Sequence, residues 1–122
     1  MLRILLVDDD EDMREITKRW LCKSYEVSQA ASGEEAVHSL KQNGADLVLL
    51  DYRMPGMDGA ETLAAIRGDA SLKDIPVYFL TGEEDSANMD EAALLGAQGY
   101  LKKSGGKRSL METVSAVFSE NR

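Results

Sequence analysis

The sequence predicts an α/β protein with five parallel strands in one doubly wound sheet and helices on both faces. Two observations support this fold class. Five short apolar runs alternate strictly with five helical patterns, and the connections between them are short. Such alternation is typical of parallel sheets with right-handed crossovers. In addition, the run Leu47–Leu50 is continuously apolar, which predicts a strand buried on both faces.

The five predicted strands are the short apolar runs. Their length is typical of strands rather than of helices. In chain order they are Arg3–Val7, Tyr25–Ala30, Asp46–Leu50, Pro76–Leu80 and Gly99–Lys102.

The first two predicted helices are identified by periodicity and by end signals. The first follows an acidic turn, and we expect its apolar residues Met13 and Trp20 to lie in the core. The second opens with the capping box Ser32-Gly33-Glu34-Glu35 and ends at Asn43-Gly44.

Three further helices follow from the same spacing rules. They are predicted from about Gly59 to Arg67, from about Asp85 to Leu95, and along the apolar stripe of Leu110, Val114, Val117 and Phe118.

Size and composition predict one domain, residues 1–122, in the cytoplasm. No apolar run approaches the roughly 20 residues of a membrane helix, and the start of the chain is too soon charged for a secretory signal. A single cysteine, Cys22, excludes an internal disulfide and fits a reducing compartment; its place in a helical pattern predicts a packing role. The net charge of −8 argues against nucleic acid or anionic lipid as a direct partner.

Chemically capable side chains stand where four of the five strands end: Asp8 and Asp9, Asp51, Thr81, and Lys103. Parallel topology brings these strand ends to one edge of the sheet. Three carboxylates about 5 Å apart, at an effective dielectric of about 20, repel by about 3 kcal/mol per pair. Such a cluster either takes up protons or binds a cation, and an all-oxygen ligand set favours Mg²⁺ or Mn²⁺.

With a metal ion in place, the same residues are suited to phosphoryl transfer. Asp51 can attack phosphorus as a carboxylate nucleophile, while Lys103 can pair with one phosphoryl oxygen and the Thr81 hydroxyl can donate to another. Taken alone, Asp51 could equally be a carboxylate that caps the following turn, and Asp8 or Asp9 could cap the first helix.

Together these residues resemble the receiver domain of two-component response regulators, of the single-domain, chemotaxis-regulator type. The resemblance covers essentially the whole chain. It implies a flavodoxin-like sheet with strand order 2-1-3-4-5. The matching motifs are Val7-Asp8-Asp9, Asp51 with Met54-Pro55-Gly56-Met57-Asp58-Gly59, Leu80-Thr81-Gly82, and Gly99-Tyr100-Leu101-Lys102-Lys103.

By this resemblance, Asp51 accepts a phosphoryl group from a sensor histidine kinase or a phosphotransfer protein. Asp8, Asp9, Asp51 and the backbone carbonyl of Arg53 would hold Mg²⁺, for which Mn²⁺ can substitute. The protein would then be a regulator that assists its own phosphorylation and dephosphorylation, not an enzyme.

The resemblance also implies a switch and a pair of tuning positions. Thr81 would move toward the phosphoryl group, and Tyr100 would turn inward behind it. Arg53 and Glu83 stand at the positions that tune phosphoryl lifetime, and we expect them to form an ion pair over the site.

Lys103 is assigned to the site in preference to Lys102, because the family lysine follows the switch aromatic by three residues and adjacent strand residues point to opposite sides. The next residue, Ser104, departs from the family pattern, in which a cis proline follows the lysine.

The output surface implied by the resemblance is the face of the fourth predicted helix, the fifth strand and the fifth predicted helix. It would bind a downstream protein or output domain, and self-association as a homodimer is an alternative output. This face includes Met89, Ala93, Tyr100, Lys102 and Lys107.

Two other functions stay open from the sequence. One is a Mg²⁺-dependent phosphatase of the haloacid dehalogenase type, which would need a second aspartate where Arg53 stands. The other is an inactive receiver that serves as a binding module, an alternative that Ser104 keeps open.

Overall fold

The computed structural model describes residues 1–82 and 96–120, without the side chain of Glu120. Its strands are β1 (Arg3–Val7), β2 (Glu26–Ala30), β3 (Leu47–Asp51), β4 (Val77–Thr81) and β5 (Gly99–Lys102). Its helices are α1 (Glu11–Leu21), α2 (Gly33–Asn43), α3 (Gly59–Gly68) and a C-terminal helix (Gly106–Glu120), which is the fifth helical pattern of the sequence. The fourth predicted helix, residues 85–95, lies outside the described residues.

The strands form one sheet in the order β2-β1-β3-β4-β5, and every neighbouring pair is parallel. The predicted fold class and strand order are therefore confirmed. The sequence placed the bounds of β3 and β4 one residue too early. Asp51 and Thr81 are the last residues of their strands, where they pair in register with Leu80 and Lys102.

The central strands are buried on both faces, as the continuous apolar run predicted. Alternate residues of β1 point into two separate cores: Leu5 and Val7 pack with residues of α2 and α3, whereas Ile4 and Leu6 pack with residues of α1 and the C-terminal helix. All five residues of β3 are buried. A strand held from both sides fixes the position of the side chain at its end, which is Asp51.

Asp10, in the acidic turn before α1, caps this helix; the two preceding aspartates, Asp8 and Asp9, do not. The Asp10 carboxylate accepts hydrogen bonds from the backbone N–H groups of Asp12 (3.0 Å) and Met13 (3.2 Å). Capping of α1 therefore does not account for Asp8 and Asp9.

The predicted capping box of α2 is half correct. Ser32 Oγ accepts from the Glu35 N–H at 3.1 Å, but the Glu35 carboxylate accepts from Ala31, one residue before the cap. A complete capping box instead opens α3, formed by Asp58 and Glu61.

Two expectations for α1 need correction or refinement. Cys22 is exposed at the end of the helix, so its predicted packing role is wrong. Met13 and Trp20 are half-buried, and the fully buried residues of the helix are Thr17 and Leu21.

None of the helices in the described ranges is long and apolar enough to span a membrane.

Gly59, the first residue of α3, lets this helix lie directly against the end of β3. A Cβ atom at Gly59 would stand 2.6 Å from the Asp51 carbonyl oxygen and 2.8 Å from Tyr52 Cα. Both neighbours are backbone atoms, so neither can rotate away. The absence of a side chain at Gly59 therefore sets the approach of α3 to the peptide that carries Asp51.

Gly59→Ala is expected to lower the free energy of unfolding by about 1–3 kcal/mol because the added methyl group overpacks this contact. Intrinsic helix propensity alone would give the opposite sign, by up to about 1 kcal/mol. Urea unfolding followed by Trp20 fluorescence measures the change. The matched control is Gly68→Ala in the same helix, where a Cβ atom meets nothing within 4 Å; a gain in stability for both variants would contradict the close approach.

Candidate functional site

Three carboxylates converge at the carboxyl edge of the sheet. Asp8 and Asp9 follow β1, Asp51 ends the adjacent β3, and one oxygen from each lies within 4.8 Å of the others. Asp8 is 2% exposed and Asp51 is 3% exposed, whereas Asp9 is exposed to solvent. The parallel pairing of β1 with β3 is what brings these residues together across more than forty positions of sequence.

Asp8 is held at its backbone and at its side chain. Its N–H donates to the Ala30 carbonyl at the end of β2 at 3.1 Å. Its Oδ1 accepts from the Asp10 N–H at 3.0 Å. The second oxygen, Oδ2, lies 3.3 Å from Lys103 Nζ.

Asp51 is buried beside a like charge, and its protonation reflects this. Burial, followed by the negative charge of Asp8, raises the pKa of Asp51 to about 7, although Lys103 acts in the opposite direction. Asp51 Oδ1 accepts from the Arg53 N–H at 3.3 Å, and Oδ2 lies 3.1 Å from Lys103 Nζ. The carboxylate is therefore oriented by two donors but remains short of positive charge.

Lys103 is the cation that bridges the two buried carboxylates. Burial alone would lower the pKa of its ammonium group, but Asp51 and Asp8 together raise it above the ordinary value. Lys102, the neighbouring lysine, is exposed. The structure thus brings the predicted lysine, and not its neighbour, to the carboxylates.

The segment after Lys103 reaches this geometry without a proline. No peptide bond in the described ranges is cis, so the Lys103–Ser104 bond is trans. Residues Lys103–Gly105 form a 3₁₀ turn, and Gly106 has a φ of +74°. Glycine is suited to this left-handed conformation, which redirects the chain from the turn into the C-terminal helix.

The donor set fits a hard divalent cation. Every ligand-capable group in the cluster is a carboxylate, and Mg²⁺ prefers oxygen ligands with several coordinated waters. Three carboxylates and one lysine leave two uncompensated negative charges, which a divalent ion would neutralise. The exposed Asp9 side chain leaves one side of the cluster open to water.

The predicted switch residues lie on the two neighbouring strands. Thr81 is buried, and its hydroxyl donates to the Leu101 carbonyl of β5 at 3.4 Å. The Tyr100 side chain is 45% exposed, and its backbone pairs in register with Phe79. Glu83, the predicted partner of Arg53, lies outside the described residues.

Known proteins are similar to this chain in both sequence and fold. Chemotaxis protein CheY-3 of Vibrio cholerae is 36% identical over 119 residues, which span 96% of this chain and 92% of that protein. Chemotaxis protein CheY of Pseudomonas aeruginosa is 34% identical and is covered to 96%. The solved structure of V. cholerae CheY4 has a TM-score of 0.89 at 32% identity, with 96% of this chain and 98% of that chain covered.

Residues 4–115 match the response regulator receiver domain. The chain belongs to this family. The receiver is a phosphorylation-dependent signalling switch, and receivers of this kind are regulators rather than classical enzymes. They interact with histidine kinases and with downstream targets.

The structural roles of several residues around the site of this receiver were not predicted from the sequence. The capping box of α3 is one example, although the spacing of Asp58 and Glu61 is a capping pattern that can be read from the sequence. Asp10 could have been selected as the cap of α1 from its place directly before the helix. In contrast, the close approach at Gly59 and the contacts of Arg14 with Asp8 and Gln29 depend on how separate elements pack against each other.

Asp51→Asn is expected to stabilise the metal-free receiver at alkaline pH. The pKa of Asp51 rises from 3.8 to about 7 on folding, so the carboxylate form costs folding free energy. This cost is absent below about pH 4, grows as the pH rises from 4 to 7, and is fully present above the folded-state pKa of about 7. Allowing for the lost Lys103 ion pair, we expect a gain of about 1–3 kcal/mol in EDTA at pH 8 and almost none at pH 4.

Urea unfolding at the two pH values measures this difference. Asp12→Asn is the matched control, because it removes the same charge from an exposed position on the first turn of α1. Equal effects of Asp51→Asn at both pH values would show that the buried charge is not the cause.

Proposed function

We propose that Asp51 is the phosphoacceptor of this receiver and takes its phosphoryl group from a phosphohistidine of a sensor kinase or phosphotransfer protein. The observation that carries the proposal is the position of Lys103 Nζ, 3.1 Å from Asp51 Oδ2 and 3.3 Å from Asp8 Oδ2. A cation at this place can pair with a phosphoryl oxygen on Asp51 while it stays anchored to Asp8. The family membership supports the same assignment.

In the proposed reaction, a carboxylate oxygen of Asp51 attacks phosphorus and forms a new O–P bond. The bond from phosphorus to the donor imidazole nitrogen breaks, and the imidazole leaves with the bonding electron pair. Asp8, Asp9, Asp51 and the backbone carbonyl of Arg53 would hold Mg²⁺, which when bound supplies the charge that offsets the phosphoryl oxygens. Lys103 orients the acceptor and neutralises a further oxygen, so the receiver assists its own phosphorylation.

Hydrolysis of the acyl phosphate would be limited by access of water to phosphorus. Tyr52, Arg53, Met54, Pro55 and Asp58 line an open depression beside the end of β3. Arg53 is exposed at this position. We include in the proposal that Arg53 pairs with Glu83 and restricts the attacking water.

The proposed switch begins with the Thr81 hydroxyl. Its bond to the Leu101 carbonyl would be exchanged for a phosphoryl oxygen, and Tyr100 would turn inward from its exposed position. Phosphorylation adds charge locally, and the two positions of this pair are the states that it would bias.

The proposed output is protein–protein contact through the fourth predicted helix, β5 and the C-terminal helix. Tyr100, Lys102 and Lys107 are exposed on the described part of this face. The chemotaxis proteins among the relatives support a motility-related target, and the net charge of −8 supports a protein target over nucleic acid. Homodimer formation is the alternative output.

We also propose a cytoplasmic location for the protein, because a single cysteine fits a reducing compartment.

Stoichiometric phosphorylation tests the proposal. With acetyl phosphate and Mg²⁺, intact-mass spectrometry is expected to show one added phosphoryl group per chain. No phosphoryl group should be added when EDTA is present before the donor. Asp51→Asn should take up none, while Asp74→Asn, a charge-matched change at an exposed loop position, should behave as the wild type. Uptake by Asp51→Asn would overturn the assignment, many turnovers per chain would favour a phosphatase, and no uptake by the wild type would favour a binding module.

Arg53→Ala is expected to accelerate dephosphorylation by about three- to tenfold, equivalent to roughly 1 kcal/mol in the barrier. The reason is that water would reach phosphorus more freely. Loss of the phosphorylated species after removal of excess donor, followed by mass spectrometry, gives the rate. Arg19→Ala removes an exposed arginine from α1 as the control; an unchanged rate for Arg53→Ala would refute the shielding role.

A further inference from the structure

Arg14, on the second turn of α1, lies behind the acidic turn and contacts its backbone. The Nη1 group donates to the Asp8 carbonyl oxygen at 2.6 Å, and Nε donates to Gln29 Oε1 at 3.2 Å. The side chain is half-buried. One guanidinium therefore links α1, the acidic turn and β2. Both of its acceptors are uncharged: a backbone carbonyl and a side-chain amide oxygen.

The Arg14 contact completes the restraint of Asp8. The N–H of Asp8 is bound to β2, its Oδ1 is bound by the Asp10 N–H, and its carbonyl is bound by Arg14. The carbonyl belongs to the peptide that joins Asp8 to Asp9. Fixing the plane of that peptide sets the direction in which the exposed Asp9 side chain leaves the backbone.

Gln29 in turn restricts the orientation of the guanidinium. It lies on β2, where it pairs in register with Leu6 of β1, two residues before Asp8. The amide oxygen of Gln29 therefore binds Arg14 from a position that the sheet itself holds in place.

We propose that Arg14 is a positioning residue for the divalent cation site: it holds the Asp8–Asp9 peptide so that the two carboxylates converge, and Gln29 locks its orientation. The inference rests on the proposed function, in which this cluster holds Mg²⁺. Arg14 acts through the backbone of the ligands and contacts neither the cation nor the phosphoryl group.

Charge and position predict opposite effects when Arg14 is replaced. A positive group beside a cation site repels the cation, so its removal by charge alone would tighten Mg²⁺ binding. Loss of positioning would weaken Mg²⁺ binding, and outer partners of metal ligands typically contribute about 10- to 100-fold in affinity. The sign of the change therefore distinguishes the two roles.

Calorimetric titration of the metal-free receiver with MgCl₂ is the test. We expect Arg14→Gln to weaken Mg²⁺ binding by about tenfold. Arg14→Lys keeps the charge but has one nitrogen in place of the separate Nε and Nη1 donors that bind Gln29 and Asp8, so its affinity should be intermediate. Arg19→Gln removes the same charge from an exposed position on the same helix and should not weaken binding. Unchanged or tighter binding by Arg14→Gln would overturn the inference.

Gln29→Ala provides an independent test that leaves Arg14 in place. A severalfold loss of Mg²⁺ affinity supports the positioning role, and wild-type affinity contradicts it, so this variant decides the question if Arg14→Gln does not fold. Thermal unfolding in EDTA establishes that each titrated variant is folded. If the wild type and Arg19→Gln bind no Mg²⁺, the proposed function itself fails. If they bind Mg²⁺ and the Arg14 and Gln29 variants bind it as tightly, the positioning role alone fails.

Discussion

The Lys103 ammonium group between two buried carboxylates is the interaction on which the rest of the site depends. Burying two like charges within a few ångströms is strongly unfavourable unless opposite charge is close at hand. Lys103 supplies part of it, since it lies within 3.3 Å of both Asp8 and Asp51. A divalent cation would neutralise the negative charge that remains at this edge of the sheet.

The residues that hold the strands and cap the helices are different from the residues of the site, and this keeps the site rigid. Two apolar cores hold the central strands from both sides, so the ends of β1 and β3 have little freedom. The helices are capped by other residues, Asp10 for α1 and Asp58 for α3. Asp8 and Asp51 are therefore available for the site, and the absence of a side chain at Gly59 lets α3 support the second of them directly.

The two residues proposed as the switch, Thr81 and Tyr100, differ from this rigid edge in their contacts. Thr81 is buried, but its hydroxyl makes a long bond to a carbonyl, and Tyr100 lies half in solvent. The proposed switch would use this combination, because it would couple a fixed acceptor to residues that have two arrangements of similar free energy.

The sequence by itself determined the fold class, the strand order through the family resemblance, and the set of residues at the strand ends. These follow from local periodicity and from motifs that a parallel sheet must bring to one edge. Only the tertiary structure decided that Cys22 is exposed, that the chain after Lys103 turns through Gly106 with a trans peptide, and that Arg14 binds the Asp8 carbonyl. The physical reason is that these features depend on how elements pack and how the connections between them turn, and neither leaves a periodic signal in the sequence.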